Sequence, residues 1–127
     1  LVASRRKEPL RYQFAENIES PFTIIEINGM EMNSKDVGAR LVDLSQNGCQ
    51  IESFLNLKAA DNDINITVKF TLLNQHIEIT GHINWQRSTT YCHYYGIEFV
   101  KSSVGDYAFI MQYLKSYSRS KSQSIAT

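Results

Sequence analysis

The chain has 127 residues with 13 basic and 13 acidic side chains, a size that suits one domain around one core and a formal charge of zero. No whole-protein field draws it to duplex nucleic acid or an anionic membrane, so any anion site must be local. Its apolar runs are far too short for membrane insertion, LVASRRKEPL lacks the apolar core of a signal peptide, and Cys49 and Cys92 build no framework of bridges, which together predict a soluble, cytoplasmic, reduced domain.

The chain opens on RRKEPLRYQF, where Arg5, Arg6, Lys7 and Arg11 place four cations in seven positions and Pro9 opposes helix. Residues 1–12 are read as a flexible arginine-rich arm, with a solvated basic tail as the alternative. FTIIEI and MEM flank Asn28-Gly29, the dipeptide best suited to a type I′ hairpin turn. ARLVDL and CQIES form a second pair. In DINITVKFTL, Ile64, Ile66, Val68, Phe70 and Leu72 alternate with polar residues, the mark of a strand with one buried face.

HIEITGHINW repeats the alternation with Ile77, Ile79, Ile83 and Trp85, and Gly81 suggests a bend or close backbone approach. The two runs, joined through LNQ, form a hairpin, and YYGIEFV is the last strand. From Ser103 the period turns helical, with Val104, Tyr107, Ile110, Met111, Leu114 and Tyr117 on one stripe. Residues 119–127 are a polar, serine-rich tail expected to be disordered. The prediction is an all-β domain over residues 13–118, a six- to seven-stranded antiparallel barrel with a C-terminal helix, since closure removes exposed sheet edges.

The corner between the second pair of strands holds Asp43, Ser45, Asn47 and Gly48, more turn-forming residues than a reversal requires. One reading is a hairpin in which Asp43 and Ser45 cap local backbone N–H groups. The other joins the corner to the arm. Arginine offers a planar fork of donors that fits phosphate oxygens and the O6 and N7 edge of guanine, so a guanine nucleotide is a candidate ligand.

An arginine-rich arm entering the first strand, followed about thirty residues later by Asp43-Leu44-Ser45-Gln46-Asn47-Gly48, resembles the PilZ domain, whose motifs are RxxxR and D/N-x-S-x-x-G. GHINW is similar to the family's GxVxW strand and YYGIEF to its closing Gly-hydrophobic-x-Phe strand. The resemblance implies a bacterial second-messenger receptor that binds cyclic di-GMP, with no catalysis and no cofactor. Arg5, Arg6, Arg11, Asp43, Ser45 and Gly48 would form the ligand set, with Lys7, Asn47, Trp85 and Arg87 as secondary contacts.

The arm departs from the motif: Arg6 to Arg11 is RxxxxR, one residue too long, and Lys7 to Arg11 has the right spacing but begins with lysine. In one alignment Arg5 and Arg6 supply the family's arginine pair and a bulge at Glu8 and Pro9 absorbs the extra residue. In the other, Arg6 and Lys7 take those places. The first is preferred because lysine cannot reproduce a bidentate or stacked contact. Arginines would hold phosphate and the Hoogsteen edge, Asp43 would accept from guanine N1 and N2, and Ser45 would add a hydroxyl. Gly48 would admit close backbone approach of the ligand or a positive φ.

Trp85 reads as a core aromatic or a secondary ligand contact, and Arg40 is equally compatible with solvent. His76, His82 and His93 lack metal-ligand spacing, and the neighbours Cys92 and His93 point to opposite strand faces, against a nucleophilic pair. His76, Glu78 and His82 share one strand face, read as the wet one. Ligand binding would order the arm and change the surface offered to an unidentified protein partner. Two alternatives stand beside this: a PilZ-like interaction domain without nucleotide binding, favoured by the arginine spacing, and a single-stranded nucleic-acid binder. The last, like DNA binding generally, is disfavoured because basic and aromatic residues do not alternate along the strands.

Overall fold

The structure is a computed structural model and describes residues 11–100 and 108–116. Eight strands form one sheet: β1 (Arg11–Glu19), β2 (Phe22–Ile27), β3 (Met30–Glu31), β4 (Arg40–Ser45), β5 (Gly48–Ser53), β6 (Ile64–Leu72), β7 (Gln75–Ser88) and β8 (His93–Phe99). Their order is β1-β4-β5-β8-β7-β6-β2-β3, and every ladder is antiparallel.

That order forces closure. β1 stands at one end and β2 near the other, yet only Ser20 and Pro21 separate them in the chain. The sheet therefore rolls until its ends meet. Lys69 N–H of β6 donates to Pro21 C=O at 3.0 Å, just beyond the Phe22↔Val68 pair that begins the β2–β6 ladder. The result is the expected antiparallel barrel.

The core follows from the alternation. Ile64, Ile66, Val68, Phe70 and Leu72 of β6 point inward with Ile77, Ile79 and Ile83 of β7, and Leu41, Leu44, Ile51 and Tyr95 complete the interior. A helix, α1, spans residues 108–116 and buries Ile110 and Leu114 in that same core. Met111 of the expected stripe is half-buried; Val104, Tyr107 and Tyr117 lie outside the described residues, as do Arg5, Arg6, Lys7 and the tail at 119–127.

Turn chemistry agrees with the sequence at Asn28 (φ 52°) and Gly29 (φ 84°), both left-handed as a type I′ turn demands. The β6–β7 hairpin reverses at Leu73 (φ 50°) and Asn74 (φ 66°), the same geometry without glycine. Of the eight, β3 answers to the expected MEM segment, and one weakly patterned strand, β1, raises the count above the expected six or seven. β3 has two residues, and β1 buries only Phe14, so no alternation marks it; its ladder to β4 makes it a strand. Arg11 and Tyr12, assigned to the arm from sequence, belong to β1.

Tyr95 ties the barrel to the β5–β6 loop. Its hydroxyl donates to Leu55 C=O at 2.5 Å and accepts from Leu57 N–H at 2.9 Å, while the ring is wholly buried. Tyr95→Phe keeps the ring and deletes both bonds. The expected outcome is a loss of about 1–3 kcal/mol in urea-unfolding free energy with an unchanged m-value; no loss would mean that the loop is not held by this hydroxyl.

Candidate functional site

On the outer face of the barrel, cross-strand register lines up Gln13, Asp43, Gln50, Gly96 and Trp85 from β1, β4, β5, β8 and β7. All of these but Gln13 line a cleft of about 520 Å³, together with Arg11, Ser45, Asn47, Gly48, Asn84 and Glu98. The Asp43 to Gly48 corner forms one wall, and Trp85 stands with the β8 residues opposite.

Asp43 is 4% exposed and is met by Arg11, whose Nη1 donates to Oδ1 at 2.6 Å. Burial raises the Asp43 carboxyl above its ordinary range, an effect that Arg11 and a backbone bond from Gln50 offset only in part. A charge-assisted bond of that length fixes where the chain enters β1. Asp43 is therefore a held carboxylate, its Oδ1 taken by Arg11. Burial, reinforced by Asp43, pushes the neighbouring Cys49 thiol up, so that thiol is inert.

Ser45, 2% exposed, donates to Gly48 C=O at 3.2 Å. It closes the corner by local bonding, as the hairpin reading expects, though to a carbonyl rather than an N–H. Gly48 does not have a positive φ. Its missing side chain is required by β8, because a Cβ there would stand 2.1 Å from Ile97 O. Asn47 is exposed at the tip, and its carbonyl accepts from Phe99 N–H at 2.8 Å.

Strict alternation puts Trp85 on the core face beside Ile83. The structure places it outside, because a bulge between Ile83 and Trp85 adds Asn84 to β7 and reverses the side-chain order. The indole, 45% exposed, covers Gly96, where an added Cβ would meet Nε1 at 2.0 Å. Arg87 emerges on the same face but not in the cleft. Its guanidinium carbon lies 4.3 Å from the centroid of the Tyr94 ring.

Arg40 is not left to solvent: its Nε donates to Glu52 Oε1 at 2.8 Å, and Cys92 Sγ and the Tyr94 hydroxyl donate to Oε2 of the same carboxylate. His76 pairs with Glu78 at 2.9 Å on the wet face. Among the described residues no group of three His, Cys, Asp or Glu is placed to hold a metal, and no helix is long and apolar enough to cross a membrane.

A chain of polar contacts runs into the cleft from its side. His82 Nε2 meets Asp63, His82 Nδ1 meets Asn84 Oδ1 at 3.0 Å, and Asn84 Nδ2 donates to Glu98 Oε1 at 3.0 Å. Asn84, Gly96 and Glu98 were not among the candidates from sequence. Each stands in a strand where alternation shows only an outer face, and the cross-strand register that gathers them leaves no local signal.

Two observations generate tests here. Trp85 is the chain's one tryptophan, so its emission reports the indole alone. Gly96→Ala should displace the ring, which is flexible, and leave the fold intact; a red-shifted emission with unchanged far-UV circular dichroism is expected, and an unshifted spectrum would refute the contact.

His82 is raised above the usual histidine range by the bond to Asn84 and then by Asp63, since only the imidazolium donates to both. With its folded pKa above the unfolded one, its contribution to stability is complete below about pH 6.5 and fades as pH rises through the folded value. Wild type should therefore exceed His82→Gln in melting temperature at pH 5.5 and lose that margin by pH 8.5. A margin constant with pH would exclude the charged form.

The sequence matches the PilZ domain family model over residues 5–116. Among solved structures, the fold is similar to the Bacillus subtilis inhibitor of motility (MotI/DgrA), with a TM-score of 0.70 at 12% identity over 91% of this chain and 53% of that one. It is also similar to the PilZ domain of CeSA from a cellulose-synthesising bacterium, with a TM-score of 0.59 at 11% identity over 84% of this chain and 98% of that one. The chain thus spans about half the length of the Bacillus protein, and at these identities the likeness is one of fold. No curated protein matches the sequence.

Proposed function

The chain belongs to the PilZ domain family, and from that premise we propose that it is a cytoplasmic, non-enzymatic receptor module for cyclic di-GMP that presents a ligand-dependent surface to a protein partner. The observation that carries the reading is convergence: the Asp43 to Gly48 motif, Arg11 at the start of β1 and the exposed Trp85 indole line one cleft. An aromatic plate beside a guanidinium suits a purine joined to phosphate.

Charge assigns the arm its role. The described lining holds one guanidinium, Arg11, against two carboxylates, Asp43 and Glu98, so it does not neutralise a ligand with two phosphodiesters. Arg5 and Arg6 would bring the missing cations. Arg6 lies five positions before Arg11, a span of at most about 18 Å, enough to cross the cleft. Ser45 and Asn47 would add contacts from the corner, with Lys7 as a secondary cation. Ordering the arm on the ligand costs conformational entropy, and the response is then coupled to occupancy rather than to folding.

Exposed Phe54 (86%) beside a second cleft of about 550 Å³ is the surface we assign to the partner. The similar Bacillus protein is named an inhibitor of motility, which supports a role exercised through another protein. The RxxxxR spacing favours a second reading, an interaction domain that acts without nucleotide.

Isothermal titration with cyclic di-GMP, GTP and cyclic AMP separates the two. Saturable heat with cyclic di-GMP alone is expected, together with a raised melting temperature. Arg6→Ala and Arg11→Ala should each weaken binding by about 10-fold or more, and Lys7→Ala by less. Absence of heat with cyclic di-GMP would establish the interaction-domain reading instead.

A further inference from the structure

We propose that Glu98 reads the Watson–Crick edge of a guanine stacked on Trp85, and so makes the cleft selective for guanine over hypoxanthine and adenine. This deepens the cyclic di-GMP reading and rests on it.

The placement comes first. Gly96 lies directly beneath the indole, and Glu98, two residues further along β8, faces the same side of the sheet. Two residues of strand span about 7 Å, so a base lying against the indole brings one edge to the carboxylate. Both side chains line the same cleft.

Glu98 is also available. It is exposed, forms no ion pair among the described residues, and accepts at Oε1 from Asn84. Asp43, by contrast, is buried and engaged by Arg11. Of the two carboxylates in the cleft, Glu98 is the one open to a ligand from solvent.

It is held in place as well. Asn84, the residue the bulge inserts, donates to Glu98 and is itself fixed by His82, which Asp63 anchors. One irregularity in β7 thus turns the indole outward and clamps the carboxylate beside it. Such a clamp lowers the ordering cost of a reader.

The chemistry selects the base. An ionised carboxylate only accepts, and close to two phosphodiesters it is repulsive unless it meets donors. Guanine presents N1–H and the N2 amino group side by side, a match for both carboxylate oxygens. Hypoxanthine keeps N1–H and lacks the amino group, and adenine places an acceptor at N1. A site built around an acceptor pair rejects analogues that leave it unpaired.

The test compares cyclic di-GMP with its bis-hypoxanthine analogue and with cyclic di-AMP on wild type, Glu98→Gln and Glu98→Ala, by calorimetry. The readout is the ratio of affinities, because removing a negative charge near phosphates raises affinity for every ligand alike. Wild type should prefer cyclic di-GMP to the hypoxanthine analogue by about 10- to 100-fold, and the ratio should fall to within about 3-fold in Glu98→Ala. Glu98→Gln, isosteric and exposed, should retain the fold and lie between. A preference that survives in Glu98→Ala overturns the assignment of Glu98 alone, whereas wild type that fails to bind cyclic di-GMP overturns the nucleotide reading and this inference with it.

Discussion

Asp43 is a carboxylate almost withdrawn from water on a small barrel, and its partner is the first residue of β1. An ionised acid in that position is tolerable only when paired and hydrogen-bonded, so Arg11 cannot wander. The consequence reaches in two directions. Inward, the pair pins β1 to β4 in the register that places Gln13 opposite Asp43, and with it the strand whose far end must turn through Ser20 and Pro21 to close the barrel. Outward, it holds Arg11, the residue that follows the arginine-rich segment in sequence, in the lining of the cleft.

Most of the barrel was legible because its strands are half buried and therefore alternate. β6 and the first half of β7 are read almost residue by residue, and the Asn28-Gly29 turn announces itself through the φ values its geometry requires. β1 was hidden for the converse reason: with Phe14 as its only buried side chain, its strand character comes from pairing with β4, a long-range property. The corner was found by its motif, but not the work its residues do. Ser45 and Gly48 satisfy neighbours in the fold, a carbonyl across the corner and a backbone on β8, and a sequence motif does not separate such duties from contact with a ligand.

The β7 bulge marks the sharpest limit. A period-2 reading assumes that no residue is added, and one extra residue inverts every side chain beyond it. Asn84 does this, so Trp85, which strict alternation would turn into the core, becomes an exposed plate over Gly96. Glycine at 96 and tryptophan at 85 are then a single feature. Neither explains itself alone: the glycine has no turn to serve, and the tryptophan has no core to enter.

Division of labour follows from this arrangement. The barrel face carries an indole seated on glycine and carboxylates each held by a neighbour. Among the described residues Arg11 is the one cation lining the cleft, and it is committed to Asp43. A rigid site that already contained enough cations for two phosphodiesters would hold like charges together in the absence of ligand, at a continuing cost to stability. On the reading proposed above, arginines on the segment before β1 would avoid that repulsion until an anion arrived, and its arrival would be the event that gathers them.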